Sequence, residues 1–167
     1  MRAKKRKPLL RQMMNILLGI IILSVGYFCF TVAYDLRIRY NNRNVLNNIS
    51  GINKDCADRF ELFISDIEKE TSWKVEIISG LRSKEAQIQL KRENPRNAAV
   101  NKSRHVLGRA VDLNLYKLEG FQFTRLKKSN SKASWLATKV PEIAKKYGLL
   151  WGGTYKNYHD PVHFEVN

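Results

Sequence analysis

The sequence predicts an α+β protein, a small domain of helices and strands preceded by one transmembrane helix. Three observations predict it. An uncharged run of 22 residues, Met13 to Tyr34, stands near the amino terminus. Ala57, Phe60, Phe63, Ile64 and Ile67 recur at steps of three and four, the period of a helix with one buried face. Ala110 to Tyr116 reads Ala-Val-Asp-Leu-Asn-Leu-Tyr, the alternation of a strand whose two faces meet different surroundings.

The 167 residues, 44% apolar and 27% charged, suit one modest globular domain and exclude a disordered tail or a multidomain enzyme. Thirty Lys and Arg against fifteen Asp and Glu give a formal charge of +15, which favours an anionic partner: nucleic acid, acidic lipid or anionic wall polymer. Cys29 and Cys56 are too few for a disulfide scaffold or a four-thiolate zinc site. A metal site in this chain must draw on His and carboxylates.

Residues 1–12 form a basic flank, with Arg2, Lys4, Lys5, Arg6, Lys7 and Arg11 and no acid. Residues 13–34 follow as a transmembrane signal anchor, since 22 residues at about 1.5 Å each span roughly 33 Å, enough for a bilayer core. A cleaved signal peptide is the alternative. Its apolar region is usually about 7 to 15 residues long, and Thr31-Val32-Ala33 is a weak cleavage site here. The positive-inside rule keeps the flank cytoplasmic and sends the domain to the periplasm or cell exterior, although Arg37, Arg39 and Arg43 weaken the bias. The protein is then single-pass in the cytoplasmic membrane, and nucleic acid is not its partner.

Residues 35–54, rich in Asn, read as a tether of limited order, and residues 55–167 as the folded domain. The helix that starts near Asp55 runs to about Thr71. Trp73, Val75 and Ile77 alternate into a short strand that Gly80 ends, and a second helix spans about Ser83 to Glu93, stopped by Asn94-Pro95. The strand Ala110 to Tyr116 turns Val111, Leu113 and Leu115 to one side and Ala110, Asp112 and Asn114 to the other. Lys117 to Lys132 reads as a long polar loop. A helix from about Ser134 to Tyr147 follows, kinked or split by Pro141 and stopped by Gly148. Leu149 to Trp151 and Val162 to Val166 are strands flanking a Gly152-Gly153 turn.

Chemistry concentrates in two places. His105 stands seven residues before Asp112 on the predicted strand, and Asp160-Pro161-Val162-His163-Phe164-Glu165 lies near the end. A zinc ion that activates water needs three protein ligands and an open position, and His105, Asp112 and His163 supply two imidazoles and a carboxylate. Asp160 would lie beside the open position, where a carboxylate takes a proton from water and passes it to a leaving amine. His159 competes with His163 as a ligand. Glu165, on the same strand face as His163, either orients that ligand through its other ring nitrogen or makes a surface salt bridge.

With these motifs the sequence resembles the zinc D-Ala-D-Ala carboxypeptidases and L-alanyl-D-glutamate endopeptidases that cut peptidoglycan stem peptides, a family that includes phage endolysins. The resemblance covers roughly Phe60 to Val166. It is carried by Ser-x-His-x-x-Gly-x-Ala-x-Asp at Ser103 to Asp112, by acid-x-x-His at Asp160 to His163, and by Ser-Gly-x-Arg-Ser at Ser79 to Ser83 with Gln87 one helical turn on. Trp151-Gly152-Gly153 and the Asp-Pro-Val-His-Phe-Glu ending look most like the endopeptidase branch. Many relatives carry Glu where Asp160 stands.

The resemblance implies a central antiparallel sheet carrying Zn2+, with flanking helices. It implies that Arg82 stabilises the developing oxyanion, that Gln87 and Trp151 hold the substrate and that Ser103 holds the substrate or orients the first ligand, while Gly108 permits a close turn between two ligands. Structural alternatives exist for Arg82, as a helix cap or partner of Glu85, and for Trp151 and Tyr155, as core. The activity implied is hydrolysis of L-Ala-D-Glu or D,D-carboxypeptidase bonds in wall remodelling or phage lysis. The alternative is a non-catalytic, membrane-anchored wall-binding module that retains the fold.

Overall fold

The structure is a computed structural model that describes residues 7–119, 122–156 and 158–167. The first six residues of the basic flank lie outside the described residues, as do two positions of the expected 117–132 loop. Two compact units are distinguished, the second spanning Ile38–Asn167.

The first helix, α1, runs Lys7–Ser50. Up to Arg37 its apolar side chains are exposed on every face, Leu23 at 74% and Phe28 at 66% among them. It is the one helix among the described residues long and apolar enough to cross a membrane.

The second unit is built on a five-stranded antiparallel sheet. Its centre is β2 (Ala110–Glu119), paired along one edge with β1 (Lys74–Ser79). The other edge of β2 is shared by β5 (His163–Val166), opposite Ala110 to Asp112, and by β3 (Gln122–Leu126), opposite Leu115 to Glu119. Strand β4 (Leu149–Trp151) closes the far side of β5. The helices are α2 (Lys54–Glu70), α3 (Lys84–Glu93), α4 (Lys132–Leu136) and α5 (Val140–Lys146). The α+β class, the antiparallel sheet and the flanking helices are those expected.

The core forms where the apolar face of α2 meets β2 and β5. Phe60, Phe63 and Ile67 are fully buried together with Val111, Leu113 and Leu115, and Phe63 packs on Phe164 with ring centroids 5.1 Å apart. Full burial of each such side chain contributes about 1.5–3 kcal/mol. Asn53 caps α2 by accepting from the Cys56 N–H, and Ser83 caps α3 by accepting from Ala86. Pro141 splits the expected 134–147 helix in two. It sits in the first turn of α5, where its missing N–H costs nothing, and Gly148 ends that helix at φ 65°.

Two segments differ from the sequence expectation. Residues 35–54, expected as a tether, are helical through Ser50, and Ile38, Asn42 and Ile49 are buried. With Val45 they form a stripe at helical spacing. The asparagines that suggested disorder bond to the outer edge of β1 instead. Asn42 Nδ2 donates to Val75 O (2.8 Å), its Oδ1 accepts from Ile77 N (2.8 Å), and Asn41 Nδ2 donates to Ile77 O (2.9 Å). One side chain thereby satisfies the open edge as a further strand would. The second difference is at 117–132, expected as a loop. β2 continues to Glu119 and β3 returns along it, with Arg125 ion-paired to Glu76 across the sheet. That pairing explains why a charged stretch forms a strand.

Candidate metal and catalytic site

Sheet register assembles the site. A bulge in β1 after Ile77 sets Ser79 opposite Asp112, and on the other edge of β2 Asp112 stands directly opposite His163. Asp112 is therefore flanked by the Ser79-Gly80 corner and by a histidine. His105 arrives from the loop before β2, which closes through Gly108 N–H donating to His105 O (3.2 Å) with Gly108 at φ 64°.

The three side chains converge. His105 Nε2 lies 3.3 Å from Asp112 Oδ1 and 3.3 Å from His163 Nδ1, and His163 Nδ1 lies 2.9 Å from Asp112 Oδ1. The partners of the other ring nitrogens bear on the tautomers. His105 Nδ1 is 2.8 Å from Gly80 O, and a carbonyl only accepts, so Nδ1 carries the hydrogen and Nε2 is a lone pair. His163 lies between two carboxylates, Nε2 3.1 Å from Glu165 Oε2 and Nδ1 2.9 Å from Asp112 Oδ1; when Nε2 donates to Glu165 in the neutral ring, Nδ1 turns a lone pair toward Asp112. Three acceptors then point at one another at hydrogen-bond distance, and only a positive species between them relieves the repulsion. Without metal that species is a proton. Burial lowers the His163 pKa, but the hydrogen bonds its ring donates to Asp112 and Glu165 outweigh it and push it up to about 9. Asp112 shows the same balance: burial raises its pKa, and the two imidazoles hold it well below the carboxylate range.

A metal fits the same triangle. Ligands about 2.0 Å from a tetrahedral zinc stand ~3.3 Å from one another, and the edges here are 2.9, 3.3 and 3.3 Å. Among the described residues these are the groups clustered closely enough to hold an ion. His159 is not part of the cluster: it lies exposed on the wall of the adjoining cleft, with Nε2 2.9 Å from Asn130 O.

The cluster opens into a cleft of about 560 Å³ whose walls include Arg82, Ser103, Lys128, Tyr155 and Asp160. Arg82 is locked from two sides: Nη1 donates to Gln87 Oε1 (2.8 Å) and Nη2 to Ser79 Oγ (3.1 Å). Gln87 and Ser103, expected to hold substrate, are buried and committed to this lock. Ser103 Oγ donates to Gln87 Oε1 (3.1 Å) and Gln87 Nε2 to Ala98 O (2.8 Å). Asp160 Oδ1 is shielded from solvent and lies 3.0 Å from Lys128 Nζ, although not in hydrogen-bond geometry. Trp151 does not line the cleft. It is a core residue, 5% exposed, whose Nε1 donates to Pro161 O at 2.8 Å, because β4 turns this face of the Trp-Gly-Gly motif inward.

Sequence reasoning missed Lys128, Arg104 and the Gly80 carbonyl. Lys128 lies in the turn after β3, inside the stretch expected as a loop, and Gln122 to Leu126 has no strict alternation that would have signalled the strand before it. Arg104, adjacent to His105, stands 4.0 Å from Glu165 Oε1. The role of Gly80 is a backbone role, which no side-chain pattern announces.

Two histidines and a carboxylate gathered at the sheet of a small α+β domain form a candidate metal site. Residues 96–166 match the D-alanyl-D-alanine carboxypeptidase family. This match, over less than half of the chain, supports the expected resemblance to the D-Ala-D-Ala carboxypeptidases and L-alanyl-D-glutamate endopeptidases. The chain is similar to the peptidoglycan L-alanyl-D-glutamate endopeptidase CwlK of Bacillus subtilis, 37% identical over 67 residues that cover 38% of this chain and 39% of that protein. The matched stretch thus spans about two fifths of that relative's length. Its fold is similar to the crystal structure of the L-Ala D-Glu endopeptidase ChiX of Serratia marcescens, with a TM-score of 0.51 and 22% identity over 72% of this chain and 84% of that one.

Proposed function

We propose that the chain is a zinc peptidase that hydrolyses peptide bonds in peptidoglycan stem peptides, L-Ala-D-Glu in preference to D,D-carboxypeptidase bonds. The observation that carries this reading is the convergence of three lone-pair donors, from His105, Asp112 and His163, at the wall of a cleft that also holds Asp160 and Arg82. His105, Asp112 and His163 would hold the zinc, which when bound would supply Lewis acidity toward a carbonyl and water. Asp160 accepts the proton of the attacking water and returns it to the leaving amine, so one carboxylate serves both halves of the reaction. Arg82, fixed by Ser79 and Gln87 before substrate arrives, presents its guanidinium to the developing oxyanion without reorganisation. Ser103 and Gln87 act on the substrate through Arg82. The endopeptidase preference is supported by the names of the two similar proteins, CwlK and ChiX.

The exposed apolar helix supports a single-pass anchor at Met13 to Tyr34 in the cytoplasmic membrane. Its basic flank would stay cytoplasmic and the peptidase domain would face the periplasm or exterior, where wall remodelling or phage lysis takes place. Digestion of purified peptidoglycan with the full chain in detergent, followed by mass spectrometry of the products, tests activity and bond together. Products ending at L-Ala are expected, lost on chelation and reduced about 10²- to 10⁴-fold in Asp160→Ala with zinc retained. Undigested walls with the zinc-loaded protein would favour a wall-binding module.

A further inference from the structure

We infer that the end of α1, Ile38–Ser50, is a built-in positioning element of the metal site, acting through the Gly80 carbonyl on His105. This rests on the reading of His105 as a metal ligand. Gly80 is the corner at which β1 leaves the sheet, and three things depend on where it sits. Its carbonyl accepts from His105 Nδ1 (2.8 Å) and so sets the tautomer and direction of that ring. One residue before it, Ser79 holds the Arg82 guanidinium (3.1 Å). Two residues after it, the Arg82 N–H donates to His105 O (3.2 Å), tying the corner to the histidine loop by its backbone as well.

What holds the corner is α1. A Cβ on Gly80 would overlap Val45 Cγ1 and come within 3.4 Å of Ile49 Cδ1, so the helix side chains rest directly on the glycine. Val45 is β-branched in a helix, with one strongly preferred rotamer, and Ile49 is fully buried behind it, so neither side chain yields readily. Asn41 and Asn42 pin the same helix to β1 just before the corner, at Val75 and Ile77. The chain leaving α1 also meets the other side of the histidine loop: Ile52 lies 3.5 Å from the position a Cβ would take on Gly108. The His105 loop is therefore braced on both flanks by residues 45–52, a stretch that precedes the matched family region at 96–166. These residues touch no reacting atom and act by placing His105 and Arg82.

The test is a clash and its relief in the full-length protein. Gly80→Ala introduces a methyl group where Val45 Cγ1 stands, and Val45→Ala removes that atom. Two readouts are followed: zinc affinity, and the tautomer of His105 from long-range 1H–15N spectra, which is readable with or without metal. Gly80→Ala is expected to weaken zinc binding about 10- to 100-fold and to lose the Nδ1–H signature of His105. Adding Val45→Ala to Gly80→Ala should restore both, whereas Val45→Ala alone, which opens a void against Gly80, should shift both readouts in the same sense as Gly80→Ala but by less. A merely structural glycine would lower thermal stability without moving either readout, and that result overturns the inference. So does failure of Val45→Ala to rescue. If the wild type itself bound no zinc, the metal reading would fall, while the tautomer of His105 across the three variants would still decide whether α1 positions the ring.

Discussion

The two imidazoles that face Asp112 are held in opposite ways. On the β5 side His163 is held by charge: Glu165 accepts from its Nε2, and Arg104 and Tyr155 stand behind that carboxylate. On the other side His105 is held by a neutral backbone carbonyl, whose position follows from the packing of Val45 and Ile49 on Gly80. A carboxylate makes an imidazole more basic and ties it to pH, whereas a carbonyl fixes the tautomer and adds no net charge. The β5 side should therefore respond to changes of charge and the Gly80 side to changes of volume.

The largest effect ignores the difference. His163→Ala and His105→Ala should each lose stoichiometric zinc in metal analysis, because two remaining ligands cannot close a three-ligand site. Retention of zinc in either would break the symmetry assumed for the pair. Glu165→Gln separates the sides. It should weaken zinc binding about 10- to 100-fold and leave the His105 tautomer unchanged by NMR.

The same substitution alters the pH response. In the metal-free protein the His163 proton persists up to about pH 9, and zinc must displace it. Zinc affinity of the wild type should then climb about tenfold per pH unit toward 9, and that of Glu165→Gln should level off earlier. The stability contributed by that proton in the metal-free protein is complete below the ordinary value of 6.5 and lost as pH rises through about 9, which thermal melts against pH would show. The smallest effect belongs to Arg104→Ala. Its guanidinium is 4.0 Å from Glu165 and about a third exposed, so a change in zinc affinity below about fivefold is expected from titration calorimetry.

Much of this was written in local pattern. Alternation in Ala110 to Tyr116, the three-and-four spacing of Ala57 to Ile67, the Pro141 break and the uncharged run Met13 to Tyr34 each report a backbone state set by nearby residues. The residues that cluster, His105, Asp112 and His163, were legible because few residue types ligate metal and the chain has only three histidines. What neighbours hold each ring was not legible. Asn41 and Asn42 look like turn residues until β1, more than thirty residues away, offers them its edge, and Arg125 looks like loop charge until Glu76 faces it across the sheet. Trp151 carries the same sequence whether it lines a groove or a core, and only the pairing of β4 with β5 turned it inward. Sequence by itself determined the chemistry available, the α+β class and the apolar helix. The tertiary structure alone decided that one histidine rests on a carboxylate and the other on a carbonyl, because strand register and the packing of a distant helix are long-range contacts with no local signature.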